Sequence, residues 1–590
     1  MVGERLGAPP RPAARLAMGK RHAEKSGKRV SSCSFADNVA AASIAAHDAS
    51  LASLPEAVRS RLADRHGTTC HDGRQTVLAA IVALDTAVDG EGSDVGGVPS
   101  LRVVALGAGT KFMCGRGIAE DEGIGEKVRD SHAEVLARRA LKRFLYAQIK
   151  VAAARATRRA DDEEAMRTSR PREGKRRKEE DASSSGADPT SWCVLEEELN
   201  GRSGEGRWRL RPSVTLHLYT SSTPCGNATV KRWAKGAKER FRDGLGPVEM
   251  PAGGHDHGKV SFGAVREGQL AFMYKRDPDE GDAEVDGGEG SAVERERSVP
   301  GADLVVPPGS STTGRVLTCS DKLAVWSCVG LQGSLLLSPA LLSRPVYLSS
   351  VTVGRKFNHA VLCRALCCRL HRFVSPQATE RNPKQTAAAF ALKHPTVMCT
   401  AMPFDLRAYS EGEGARFDAA EALVWWAEEE DGETGGGEAG HGCVEEGGCA
   451  RRVLRGHCEV INGRTGAGVD LAKAREGGPG EGETRLEPSG GGEGDETPEP
   501  EPIVVSGVSR AALLRVHRAV LGESTGVARR GGEEDIAECA SGSESYEALK
   551  AAASAASGYA AAKRVALSQA GIWTLSKPHR SVLQSLHGGK

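Results

Sequence analysis

Stretches of apolar residues alternate with polar stretches along the chain, and their spacing predicts both helices and strands. The alanine-rich segment ADNVAAASIAAHDASL, which follows Phe35, predicts a helix. The apolar segments QTVLAAIVALD and LRVVALGAGT predict strands. In SHAEVLARRALKRFLYAQI the apolar residues recur at helical spacing, and Ser131 is placed to cap the helix N-terminus.

Further folded blocks follow at intervals towards the C-terminus. VTLHLYTSSTPCG predicts a strand that runs into a turn at Pro224 and Gly226, and PVYLSSVTVG predicts another strand. VLCRALCCRL and the region from Tyr546 onwards predict helices. Strands that alternate with helices predict an α/β sandwich, with a sheet covered by helices.

Four stretches break this pattern with low-complexity composition, and we expect them to be disordered insertions. They are rich in Gly, Ser and charged residues and account for much of the chain's 72 glycines and its aromatic content of only 4%. We therefore expect one folded domain over residues 35–587, preceded by a disordered basic tail at 1–34. The expected insertions lie at about 152–205, 275–314, 427–452 and 474–502.

The charge balance and the cysteines limit the possible environments. With 79 Lys and Arg against 78 Asp and Glu, the net charge is +1, so any RNA-binding surface must be local. Fifteen irregularly spaced cysteines, without a signal-peptide core or a membrane-length apolar run, predict an intracellular protein of the nucleus or cytoplasm. The tail at 1–34 leaves organelle targeting open, and the basic run 175–178 leaves open a nuclear-import signal, an RNA contact or a plain solvated charge run.

One triplet has the composition of a hydrolytic deaminase site. Zinc with three protein ligands acidifies a water at the fourth position, and a Glu that is not a ligand moves protons. His132 and Glu134, separated by one residue at a predicted helix start, have this arrangement. The triplet alone is also compatible with a surface His beside a Glu.

The candidate thiolate ligands are cysteines, and we choose among them by their place relative to the predicted strands, turns and helices. Cys225 follows Pro224 at the end of a predicted strand, but Ala228 stands where the usual short-spaced second cysteine would be. Cys319, which opens the segment CSDK, is the best remaining candidate. Three other cysteines on one apolar helix are more typical of buried small hydrophobic residues: Cys363, Cys367 and Cys368.

Four blocks in this order resemble the catalytic domain of the RNA adenosine deaminases: GTKFMCGRGIAEDEGIGEKVRDSHAEVLARRALKRFL, LHLYTSSTPCG, CSDKLAVWSCVGLQGSLL and PVYLSSVTVG. The resemblance implies a three-layer, cytidine-deaminase-like sandwich with a mixed sheet. It assigns zinc to His132, Cys225 and Cys319, and proton transfer to Glu134. The implied reaction is hydrolytic attack on C6 of a flipped-out adenine, with release of ammonia.

The same resemblance implies a second cofactor, inositol hexakisphosphate, held by an interior cluster of cations. Val325 stands where the family usually has arginine, and Asn227 replaces the acidic residue usual after Pro-Cys-Gly. Thr110 and Lys111 resemble residues near the ribose of the substrate nucleotide. The positions that match the inositol phosphate site are Arg138, Arg139, Lys322, Trp326, Ser334, Tyr546, Lys550, Tyr559, Lys563, Trp573 and Lys577.

The predicted substrate is tRNA. Duplex-RNA editors in the family carry separate RNA-binding domains, and residues 1–34 are too few to fold one. We therefore expect deamination of the adenosine 3′ of the anticodon (position 37) in alanine tRNA, without a membrane or an obligatory protein partner. Two alternatives stay open: an editor of duplex RNA or another tRNA adenosine, and an inactive protein that binds RNA or inositol phosphate.

Overall fold

The computed structural model describes part of the chain. The described residues are 35–56, 58, 76–87, 99–113, 115–121, 124–168, 192–198, 207–228, 274–275, 316–338, 341–371, 373–374, 390–400, 402, 404, 421–428, 444–446, 449–452, 456–472, 503–524 and 546–568. The predictions for the tail at 1–34, for 276–314, for 474–502, for the basic run 175–178 and for Trp573 and Lys577 lie outside these residues.

Strands and helices alternate through the described residues. The strands are β1 (Leu78–Asp85), β2 (Ser100–Ala108), β3 (Thr110–Phe112), β4 (Asp130–His132), β5 (Leu195–Glu198), β6 (Arg207–Leu210), β7 (Val214–Thr220), β8 (Tyr274–Lys275), β9 (Val316–Leu317), β10 (Leu348–Val353), β11 (Thr396–Cys399), β12 (Glu421–Ala427), β13 (Val444–Glu446), β14 (Cys449–Arg452) and β15 (Gly456–Asn462). The helices are α1 (Phe35–Ala52), α2 (Gly115–Glu120), α3 (Ala133–Thr168), α4 (Cys319–Val329), α5 (His359–Leu366), α6 (Arg510–Ser524), α7 (Tyr546–Ser557) and α8 (Tyr559–Ser568), with 3₁₀ turns at Leu335–Leu337 and Cys368–Leu370.

Nine of these strands form one mixed sheet. Its main order is β11-β10-β7-β1-β2-β12-β15, and β14 joins it beside β2 with β13 paired to β14. Strand β1 is antiparallel to both β2 and β7, whereas β7, β10 and β11 are parallel to one another. Because β7 and β10 are parallel, the loops that follow them leave the same edge of the sheet, where sites in α/β folds commonly form.

Helices cover both faces of the central strands. Every residue of β2 is buried, which requires a packed layer on each face, and both α1 and α3 pack against β1 and β2. Helix α3 crosses β2 so closely that a Cβ at Gly107 would lie 2.4 Å from Cβ of Leu136. The predicted α/β fold with a mixed sheet between helices is therefore confirmed.

The elements predicted from periodicity are present, with three differences. Helix α3 begins at Ala133, and Ser131 lies in β4 opposite Lys111, so the prediction of Ser131 as the helix cap is wrong. The same helix continues to Thr168, into the expected insertion 152–205, because these residues are mostly Ala, Arg and Glu, which favour helix. Ordered strands also lie within expected insertions: β5 in 152–205, β13 and β14 in 427–452, and the end of β8 at residue 275.

Strand β5 is ordered because it has a buried side and a partner. Leu195 and the preceding Val194 are buried, and β5 pairs with β6 in a two-stranded sheet. Across this pair Arg209 forms an ion pair with Glu196, as opposite charges on facing strands do.

No helix among the described residues combines the length and apolar character needed to cross a membrane. Nine of the cysteines within the described ranges are thiols that form no disulfide bond.

Candidate metal centre and active site

Three segments that are distant in sequence bring His132, Cys225 and Cys319 together. His132 ends β4, Cys225 lies in the loop after β7, and Cys319 is the first residue of α4. One ligand atom from each residue lies within 4.8 Å of the others. One imidazole and two thiols at this separation form a donor set suited to a zinc ion with an open fourth position.

The backbone conformation at Gly226 allows the loop of Cys225 to approach α4. Its φ is +92°, which favours glycine, and a Cβ there would lie 2.1 Å from Oγ1 of Thr318. At this approach the backbone N–H of Cys319 donates to Sγ of Cys225 at 3.3 Å, and that of Ser320 donates to the carbonyl of Cys225 at 3.1 Å. Amides at a helix N-terminus favour a negatively charged sulfur, the form that binds metal.

A carboxylate orients the imidazole of His132. Oδ1 of Asp130 lies 2.8 Å from Nδ1 of His132 and accepts from its backbone N–H at 3.0 Å. The other oxygen of Asp130 accepts a hydrogen bond from Nζ of Lys322 on α4. A carboxylate in this position fixes the tautomer and plane of a histidine that binds a metal through its other nitrogen.

Glu134 lies beside this centre in the first turn of α3 and is buried. Burial raises the pKa of Glu134, and the negative charge of Cys225 raises it further. A buried carboxyl group beside the proposed metal ligands is placed to accept a proton and to return it. Thr110 pairs with His132 across β3 and β4, and the carbonyl of Lys111 lies 3.2 Å from Nδ1 of His132.

A cluster of cationic side chains lies on the other side of Lys322. It contains Arg138 and Arg139 from α3, Lys322 from α4, Lys550 from α7 and Lys563 from α8, all predicted from the sequence, and it also includes Lys142. Burial lowers the pKa of Lys142 well below its usual range, and repulsion from the neighbouring cations lowers it further. The cluster therefore brings six positive charges close together at partly buried or exposed positions. Two of them pair with carboxylates, Lys322 with Asp130 and Lys550 with Glu547, and a polyanion would offset the repulsion among the six.

Lys142 was not predicted from the sequence. It lies four residues after Arg138 and three after Arg139, so all three side chains share one face of α3. This spacing was visible, but it is also the spacing of an ordinary exposed charged face.

Aromatic and small residues complete the walls of the cation cluster. The guanidinium of Arg138 lies 4.6 Å from the ring centre of Trp326, and Nζ of Lys550 lies 5.5 Å from that of Tyr546. Nε of Arg138 is buried and has no hydrogen-bond partner among the described residues. Ser334 and Tyr559 are buried beside the cluster, and Tyr559 hydrogen-bonds to Arg138.

Lys563 is an exposed member of the cation cluster. The surrounding protein and repulsion from Lys550 and Arg138 together lower its pKa to about 8. The cluster is therefore accessible from solvent at Lys563.

The two departures from the family pattern have local explanations. Val325 is buried on α4 and belongs to the hydrophobic core. Asn227 donates from Nδ2 to Oδ1 of Asp321 at 2.9 Å, and Asp321 also accepts from Arg369. An amide at position 227 therefore supplies a donor to a carboxylate that an acidic residue would repel.

Comparison with known proteins gives this geometry a family context. The model of the adenosine-deaminase (editase) domain matches residues 105–181 and 193–442, together more than half of the chain. These ranges contain all three residues of the candidate metal centre, and Glu134.

Individual relatives fall into two groups by their names. The double-stranded RNA-specific adenosine deaminase of Mus musculus is 28% identical over 273 residues, which cover 46% of this chain and 17% of the relative. The tRNA-specific adenosine deaminase 1 of Homo sapiens is 26% identical over 369 residues, covering 50% of this chain and 63% of the relative. That of Mus musculus is 25% identical over 360 residues, covering 50% and 62%. The alignments thus span less than two thirds of each relative.

Proposed function

The chain belongs to the adenosine-deaminase (editase) domain family, and from this we propose that it is a zinc-dependent enzyme that deaminates adenosine to inosine in tRNA. We propose the adenosine 3′ of the anticodon in alanine tRNA as its target. The observation that carries this proposal is the convergence of His132, Cys225 and Cys319 beside the buried Glu134.

The residues present fit a zinc ion. His132, Cys225 and Cys319 would hold it, and Asp130 would keep the imidazole in the orientation that binding requires. Bound zinc would lower the pKa of a water molecule enough to make it a nucleophile near neutral pH.

Glu134 would carry the proton transfers. Its carboxylate would accept one proton from the attacking water as the oxygen adds to C6 of adenine, and would deliver that proton to N1. It would then accept the second proton from the oxygen now bonded to C6 and deliver it to the amino group as that group leaves. The products are inosine and ammonia. The raised pKa of Glu134 favours this return of the proton.

Thr110 and Lys111 are proposed to position the ribose of the target nucleotide. Strand β3 places both beside His132, and Oγ1 of Thr110 has no hydrogen-bond partner among the described residues. A ribose hydroxyl group would supply one.

The cation cluster fits inositol hexakisphosphate as a buried structural ligand. Six cations lie close together in it, and Nε of Arg138 is buried without a hydrogen-bond partner among the described residues. Phosphate groups would offset the repulsion that lowers the pKa of Lys142. Trp573 and Lys577, which the resemblance adds to this site, remain predictions.

The choice of tRNA over duplex RNA is supported by the length of the alignments. Those with the tRNA-specific relatives extend over 360–369 residues, against 273–308 residues for the double-stranded-RNA relatives. The rival substrate, duplex RNA, is favoured by slightly higher identity, 28% against 25–26%.

The test is deamination of defined RNAs by the purified full-length chain. Unmodified alanine tRNA, a second tRNA with adenosine at the same position and a perfect RNA duplex are incubated with the protein, and inosine is identified as adenosine-to-guanosine changes after reverse transcription. We expect a change 3′ of the anticodon in alanine tRNA only. Editing of the duplex alone would reject the tRNA assignment. No inosine in any RNA from zinc-loaded protein would favour the inactive alternative.

A further inference from the structure

A second group of metal-binding side chains lies outside the proposed active site. It is formed by Cys367 and Cys368, just after α5, and His394, in the segment that enters β11. We propose that these three residues bind a second zinc ion, which has a structural role. The sequence interpretation of Cys367 and Cys368 as small hydrophobic residues explains their burial, but it does not explain their approach to an imidazole from a separate segment.

The distances in this cluster match a tetrahedral zinc site. Sγ of Cys367 and Sγ of Cys368 are 3.6 Å apart, and Sγ of Cys368 is 3.7 Å from Nδ1 of His394. Bond lengths of about 2.3 Å to sulfur and 2.0 Å to nitrogen place two such sulfurs about 3.8 Å apart, and a sulfur and a nitrogen about 3.5 Å apart. All three ligand atoms lie within 4.8 Å of one another, close enough for small side-chain adjustments to bring them onto a single ion.

The donor set selects the class of metal. Two thiols and one imidazole are soft ligands that favour zinc over magnesium or calcium, which prefer oxygen. Cys367 and Cys368 are buried, whereas His394 is only partly buried and gives a path from solvent. Binding releases the thiol protons to solvent, as it does in structural zinc sites generally.

The position of the cluster indicates what the ion would stabilise. A bound ion would link the 3₁₀ turn Cys368–Leu370 to the segment that enters β11. In the same turn, Arg369 donates to Asp321 and to the carbonyl of Ser320, directly after Cys319. The proposed ion would therefore stabilise the 3₁₀ turn whose Arg369 contacts the first turn of α4, next to the proposed active site.

Zinc stoichiometry of the purified full-length protein tests the proposal. We expect two zinc ions per chain, measured by plasma mass spectrometry after dialysis against metal-free buffer. Cys368→Ala and His394→Ala should each retain one ion, as should Cys225→Ala in the first site. The double variant Cys225→Ala/Cys368→Ala should retain none. Cys328→Ala removes a buried thiol of α4 outside both clusters and is the matched control, expected to keep two.

The outcomes separate this site from the active site. A wild-type chain with one ion that Cys225→Ala removes would overturn the second site and leave the proposed function intact. Two ions in both Cys368→Ala and His394→Ala would also overturn it. Loss of zinc from Cys368→Ala and His394→Ala but not from Cys225→Ala would support the second site and count against the first. Anomalous scattering at the zinc edge from crystals of the unaltered protein locates the ions even if a variant fails to fold.

Discussion

At the scale of single residues, proton transfer is assigned to Glu134, whereas metal binding is assigned to three other side chains. Glu134 lies beside the three proposed ligands without being one of them, and its burial raises its pKa. Glu134→Gln keeps the shape and the hydrogen-bonding capacity of the side chain but cannot carry a proton. We expect deamination of tRNA to fall by about 10²–10⁴-fold, with the zinc content unchanged. Inosine formation and metal analysis on the same sample check this, and a variant of undiminished activity would contradict the assigned role.

Gly226 is a second residue-scale determinant, because the approach of Cys225 to α4 depends on its φ of +92° and its lack of a side chain. Gly226→Ala should lower the free energy of unfolding by about 1–3 kcal/mol and weaken zinc binding. The matched control is Gly522→Ala on α6, where a Cβ would meet nothing within 4 Å. This control should stabilise the chain by about 0.5–1 kcal/mol. Thermal unfolding and zinc titration of both variants test the pair, and equal effects on zinc affinity would refute the local explanation.

The sequence predicted the candidate site better than its supporting residues. His132, Glu134 and Cys225 lie in short motifs whose spacing follows from the chemistry. Cys319 was the best remaining candidate among the cysteines, and the family resemblance assigned it to zinc. Lys142 was missed because its role depends on helices α7 and α8, more than 400 residues later in the chain. Ser131 was misassigned because a serine before a helix has the same local pattern whether it caps the helix or ends in a strand.

At the scale of elements, one carboxylate joins β15 to the segment that enters α6. Glu459 accepts from Oγ of Ser506 at 2.7 Å and from the backbone N–H of Gly507 at 3.0 Å, and it pairs with His457. Burial alone would raise the pKa of Glu459, but these hydrogen bonds lower it below its ordinary value of 4.5. The hydrogen bond to Glu459 raises the pKa of His457 above its ordinary 6.5.

These shifts predict how the stability of this connection depends on pH. The contribution of Glu459 is complete above pH 4.5 and is lost as the pH falls through its lower folded-state pKa. That of His457 is complete below pH 6.5 and is lost as the pH rises through its higher folded-state pKa. Both contributions are therefore present between these two values.

The variant Glu459→Gln tests this dependence. It should lower the free energy of unfolding by about 1–3 kcal/mol at pH 6, and the difference from wild type should shrink below pH 4.5. Urea unfolding across this range is the measurement. Glu197→Gln, at an exposed position of β5, is the control and should have little effect at any pH. A difference that stays constant from pH 6 to pH 3 would contradict the assignment.

Two boundaries of helices and strands differ from prediction because charged composition alone did not determine the structure of those segments. The charged run after residue 152 was expected to be an insertion, yet its alanines and long charged side chains favour helix, and no glycine or proline interrupts it before Pro171. Strand β5 has few apolar residues, and its order comes from pairing with β6 and from burial of Leu195. Such tertiary contributions are not visible in a single segment.

At the scale of the whole molecule, the cation cluster predicts opposite effects of one substitution with and without ligand. Lys142→Gln removes a partly buried charge that neighbouring cations repel, so the ligand-free chain should gain about 1 kcal/mol of stability. The same change should reduce the rise in melting temperature caused by inositol hexakisphosphate. Thermal unfolding with and without the ligand measures both effects. Lys150→Gln, at an exposed position of α3, should change neither, and parallel shifts in the two Lys142 measurements would count against an anion site.

The order of strands in the sheet could not be predicted from the sequence. Periodicity predicted the α/β class, but β2 pairs with β12 across more than 300 residues, and β14 joins the sheet parallel to β2. No local pattern encodes these neighbours, because each strand is compatible with several edges. Burial of every residue in β12 becomes meaningful only when β15 and α3 are known to surround it.

Asp130 couples the two proposed binding sites of the protein to each other. Its two oxygens engage His132 of the proposed metal centre and Lys322 of the cation cluster, so the two binding equilibria share one charged group. Linkage then requires reciprocity: the factor by which a polyanion changes zinc affinity must equal the factor by which zinc changes polyanion affinity. Supply of a phosphorylated metabolite would in this way set the metal concentration at which the chain becomes loaded.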